Sequence, residues 1–180
     1  MANPRTLRNI RLENEYKELM AINGEIIQIE AMDKPPHENY RVTFNIRTIV
    51  GPEPIFSHQT VCLLKLPPNY PKGSPTICAE SPPYPFHVNW RANGSLCQDK
   101  WNLEDTLVDL VLLCARTLQS DPAVTNVAIV MTQEAMGFWR KNKGKKGIIP
   151  SDTQVLPTLD CPEPITVNTR KSKKIKIKTI

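Results

Sequence analysis

The thiol of Cys97 stands in the run His87-Val-Asn-Trp-Arg-Ala-Asn-Gly-Ser-Leu-Cys-Gln-Asp-Lys-Trp101. Upstream are an imidazole and an amide (His87, Asn89), and two residues downstream is a carboxylate (Asp99). Asn93-Gly94 is a turn signal, because glycine accepts positive φ and asparagine tolerates it. Such a turn returns His87–Asn89 to the neighbourhood of Leu96–Cys97. A cysteine on a polar loop beside an amide donor suits thiol chemistry. Without further context, a half-buried packing thiol is the commoner role for a cysteine. The surrounding elements must decide between the two.

Arg5 to Ile22 has helical composition, and Leu12, Tyr16, Leu19 and Met20 recur on one face. Arg5, Arg8 and Arg11 share another face, either a solvated surface or a docking face for a protein partner. Asn23-Gly24 stops the helix. Glu25–Met32, Tyr40–Val50 and Gln59–Leu66 read as strands, with Thr76–Glu80 a short fourth. Asp33-Lys-Pro-Pro and Gly51-Pro-Glu-Pro punctuate them, which predicts an antiparallel meander. Leu66 to Pro75 is too rich in proline for a central strand or a helix. After the cysteine run, Asn102-Leu-Glu-Asp offers an N-cap residue and early acids for a buried helix through Leu107–Cys114. Ser120-Asp-Pro ends it, and Val124–Trp139 is predicted as an amphipathic helix interrupted by Gly137. The fold class expected is α+β.

A chain of 180 residues that is 40% hydrophobic can bury one core. Five widely spaced cysteines, with no CxxC pair, indicate neither a zinc site nor a disulfide framework. With no signal-peptide run and no apolar stretch of membrane-spanning length, a cytoplasmic protein with no membrane partner is expected. The net charge of +5 is uneven, since residues 140–180 carry 11 Lys+Arg against 3 Asp+Glu. Two parts follow: a mildly acidic body, 1–141, and a basic, proline-interrupted tail, 142–180. The ending Lys-Ile-Lys-Ile-Lys-Thr-Ile180 suits a disordered tail, an added strand or a handle for an acidic partner. No aromatic residue follows Trp139 for base stacking, and the body is acidic, so nucleic acid is a poor fit.

The order helix, meander, proline-rich loop, cysteine loop and helices resembles the ubiquitin-conjugating enzymes. Their His-Pro-Asn motif leads to Gly-x-x-Cys, with the cysteine ten residues after the histidine. Here His87-Val88-Asn89 leads to Gly94-Ser-Leu-Cys97 at that spacing. Tyr70-Pro71, Asp99, Trp101 and Ser120-Asp121-Pro122 are further landmarks, so the resemblance covers about residues 5–140. Val88 departs from the motif's proline. The Cys97–Trp101 segment is shorter than usual, and Lys72 stands where phenylalanine is common. These departures fit a divergent member, of the kind a bacterial ubiquitin-like conjugation system would contain.

The resemblance implies the UBC fold and a thioester carrier. Cys97 would accept a ubiquitin-like modifier from an activating enzyme and pass it to an amine of an acceptor protein, with no cofactor and no metal. Asn89 would either donate to the oxyanion or brace its loop. His87 would bond structurally, while Asp99 and Asn126 would orient the incoming lysine. Arg5, Arg8 and Arg11 would dock the activating enzyme, and Lys72 and Trp101 lie where ligases make contact. Three rivals remain. One is a non-catalytic module of the same fold that binds ubiquitin-like proteins, and another a nucleic-acid-binding protein using the tail. The third is a cysteine protease, for which His37 and His58 sit in turn-rich loops.

Overall fold

The computed structural model describes residues 4–53, 55–98, 100–126, 128, 130–142, 145, 148–149 and 154–158. In chain order the elements are α1 (Pro4–Ala21), β1 (Ile27–Ala31), β2 (Asn39–Phe44), β3 (Thr48–Ile49) and β4 (Phe56–Ser57). They continue with β5 (Thr60–Lys65), β6 (Thr76–Ala79), α2 (Leu107–Leu118) and α3 (Gln133–Asn142). The architecture is α+β. A four-stranded antiparallel sheet has the order β1-β2-β5-β6, and β3 and β4 form a separate small hairpin.

The period of two that marks the strands also assigns their faces. Val42 lies between Ile29 and Cys62, and Leu64 between Tyr40 and Ile77. All of these side chains are buried. Helix α2 closes over this face with Leu107, Val108, Leu110, Val111, Cys114, Ala115 and Leu118. Helix α1 contributes Leu12 and Leu19, with Tyr16 and Met20 packed partly against the same core, as their spacing predicts. A second cluster gathers Ile49, Val88, Ala135, Met136, Trp139 and Ile149 around α3.

Several boundaries differ from the sequence expectation. The second strand ends at Phe44 rather than Val50. There Asn45 turns its side-chain amide to the Glu25 carbonyl at 2.7 Å, and Thr48–Ile49 pair with Phe56–Ser57 instead. Helix α2 starts at Leu107 rather than Asn102, because Thr106 and Asp109 form a reciprocal capping box there. Among the described residues of Val124–Trp139, only those from Gln133 onward are helical. The β-branched residues of 124–132 favour extended backbone, and the Asn126 and Met131 amides are taken by the 88–89 segment. Cys78 pairs with Leu63 on the outer sheet face and is half-buried.

Packing continues past residue 141 among the described residues. Ile149 is buried in the second cluster, Leu156 packs on the main core, and Gln119 donates to the Gln154 carbonyl at 3.0 Å. The alternating basic segment at 170–180 lies outside the described residues.

Candidate active site

The turn at Asn93–Gly94 sets the geometry. Gly94 adopts φ +81°, and a Cβ there would stand 2.6 Å from the Tyr84 ring, so glycine is required twice over. Asn93 Oδ1 accepts from the Ser95 amide at 3.1 Å and from its hydroxyl at 2.7 Å. The returning segment pairs Trp90 with Leu96, and the Cys97 amide donates to the Asn89 carbonyl at 2.8 Å. In that register Trp90 and Leu96 share the buried side, while Asn89, Arg91, Ser95 and Cys97 share the other.

Cys97 is half-buried at a cleft whose walls include Asn89, Asn126 and Val124, with Leu113 and Thr117 of α2 beneath. On its downstream side Gln98 Nε2 donates to Ser74 Oγ and to the Pro75 carbonyl, fastening the cysteine segment to the proline-rich loop.

The 87–90 segment is stitched to the 121–132 loop residue by residue. The Asn89 carboxamide donates to the Asn126 carbonyl at 2.9 Å and accepts from the Asn126 amide at 3.0 Å. These two bonds brace the opposite loop. The Val88 carbonyl accepts from the Met131 amide at 2.8 Å, and the Thr132 hydroxyl donates to the Trp90 carbonyl at 2.8 Å. Trp90 Nε1 donates to Thr117 Oγ1 at 3.0 Å, tying the segment to α2.

His87 is 5% exposed. Its Nδ1 accepts the Asn89 amide at 3.2 Å, which assigns the ring proton to Nε2, 3.3 Å from Thr125 Oγ1. Desolvation pushes its pKa down to about 4, so the ring is neutral at physiological pH. The neutral imidazole is thus held between two loops, with the Asn89 amide on one nitrogen and Thr125 at the other.

The Asn126 side chain accepts from the Ala128 amide at 3.0 Å, within its own loop. Asp99 lies outside the described residues. Lys72 is exposed on the proline-rich loop beside Pro71, whose carbonyl accepts from Trp101 Nε1 at 2.9 Å. The Trp101 ring packs 5.9 Å from Tyr70, so it fastens that loop.

Arg5 lies in α1. Arg8 donates to Glu38 at 2.8 Å, and Arg11 to Glu15 at 2.6 Å and to the Asp105 carbonyl at 2.6 Å. These contacts tie Arg8 and Arg11 into the chain itself. Reversing the charge at Arg11 would break the Glu15 contact and would not isolate a docking effect.

Three side chains around the thiol carry no signal of their role in the sequence alone: Arg91, Thr125 and Thr132. Arg91 Nη2 stands 4.0 Å from Cys97 Sγ, and the hairpin about Asn93–Gly94 already placed 91 and 97 on one face. Thr125 and Thr132 had no sequence signal, because their partners are 38 and 42 residues away.

Among the described residues no group of three or more His, Cys, Asp or Glu is arranged to hold a metal ion. No helix there is long and apolar enough to cross a membrane. No protein-family model matches the chain, and no curated protein matches it.

Proposed function

We propose that this chain is a carrier of a ubiquitin-like modifier, with the UBC fold, holding the modifier's C-terminus as a thioester on Cys97. The supporting observation is the pairing of Cys97 with Asn89 across the Asn93–Gly94 turn, which sets a half-buried thiol at a cleft over α2. The colinear landmarks from Tyr70-Pro71 to Ser120-Asp121-Pro122 support the same reading. In it an activating enzyme delivers the modifier to Cys97, and an acceptor amine then displaces the sulfur. Asn89 keeps the 121–132 loop opposite the thiol, on the side where the acceptor approaches.

The test is non-reducing electrophoresis after mixing the protein with a ubiquitin-like modifier, its activating enzyme and ATP. Wild type is expected to give a band that thiol reductant abolishes, and Cys97→Ser a reductant-resistant ester or no band. Binding of the modifier by wild type without any such band would favour the non-catalytic module instead.

A further inference from the structure

The Asn89 carboxamide donates to and accepts from the Asn126 peptide, and a cationic side chain also stands beside Cys97. Arg91 is exposed at the rim of the same face. Its Nη2 lies 4.0 Å from Cys97 Sγ, and its Nη1 is 3.5 Å from Ser95 Oγ. The register fixes this proximity. With Trp90 opposite Leu96, residues 91 and 97 are diagonal neighbours on one face, a separation that a long side chain spans. The Arg91 backbone is held by its amide, which donates to the Ser95 carbonyl at 2.9 Å.

We propose that Arg91 is a catalytic residue whose guanidinium stabilises negative charge at Cys97. This inference rests on the carrier reading for its reaction. Cys97 releases its proton to solvent, and its sulfur forms a bond to the carbonyl carbon of the incoming thioester. The carbonyl electron pair moves to oxygen, giving an oxyanion. When the carbonyl re-forms, the bond to the activating enzyme's sulfur breaks, and that sulfur leaves as a thiolate and takes up a proton. A permanent cation beside the attacking sulfur favours the thiolate and the oxyanion alike.

The test compares alkylation of Cys97 by anionic iodoacetate and neutral iodoacetamide, read by mass spectrometry of the peptide that carries it. Arg91→Ala is expected to lower the iodoacetate-to-iodoacetamide rate ratio about fivefold at low salt, the factor one unit charge exerts about 4 Å away in water. Arg91→Lys should retain most of the ratio, and added salt should erode it in wild type. A merely structural role changes both rates together. An unchanged ratio in Arg91→Ala overturns the assignment. In parallel, loading with modifier, activating enzyme and ATP should slow in Arg91→Ala and recover in Arg91→Lys. If the ratio falls but wild type never loads, the carrier reading fails and the role of Arg91 at the thiol stands.

Discussion

At the scale of single residues, burial reassigns the motif's side chains. His87 is buried, neutral and bonded between Asn89 and Thr125. Its pKa falls from the ordinary 6.5 to about 4. Between those values the unfolded chain takes up a proton that the folded chain refuses, so stability is full above pH 6.5 and declines as the pH drops toward 4. The loss from this one group is on the order of 3 kcal/mol. Urea midpoints measured from pH 7.5 to 4 should fall less steeply in His87→Gln than in wild type. Parallel curves would mean that His87 is not the buried neutral group described. Asn89 shows the complementary lesson. Its type announces an amide donor, whereas its hydrogen bonds show what that donor is used for.

At the scale of elements, a buried carboxylate joins three of them. Glu15 is 1% exposed in α1. It accepts from Arg11 and the Tyr70 hydroxyl on one oxygen, and on the other from the Leu107 amide at 2.8 Å. Leu107 opens α2, where the orphan amides and the helix dipole favour an anion. The carboxylate thereby fastens α1, the proline-rich loop and the start of α2 about one point. Glu15→Ala should cost about 3 kcal/mol or more, because it leaves a cation and two buried donors without their acceptor. Equilibrium urea denaturation measures this, and a loss below about 1 kcal/mol would contradict the role given to Glu15. Periodicity could not reveal it. A glutamate at position 15 reads as one more solvated charge on a helix, and only its partners at 70 and 107 make it central.

At the scale of the whole molecule, two hydrophobic clusters share the work. The main core lies between the sheet and α2, while the second packs β3 and Val88 against α3 and Ile149. Val88 thus joins the cysteine region to the second cluster through its side chain, with its carbonyl bonded to Met131. Valine at the motif's proline position is therefore a packing residue here. Ile149 lies beyond α3 in a stretch with no sequence period, yet it is 8% exposed. Ile149→Ala should destabilise the protein by about 2 kcal/mol, the usual cost of emptying a buried aliphatic site. Thermal unfolding would show a lowered midpoint. An unaltered midpoint would detach this segment from the folded body.

The sequence by itself determined the element order, the alternation of the sheet, the apolar face of α1 and the turn that returns Cys97 to Asn89. All of these are local, set by side-chain period or by the φ preference of Gly94. The local capping box of Thr106 and Asp109 sets where α2 begins, whereas tertiary structure decided where β2 ends and why the described residues of 124–132 are not helical. In these last two cases a backbone group finds a partner far along the chain: the Glu25 carbonyl with Asn45, the Asn126 amide with Asn89, the Met131 amide with Val88. Local propensities are worth fractions of a kcal/mol per residue, and a buried hydrogen bond left unmade costs more than that, so the distant partner prevails.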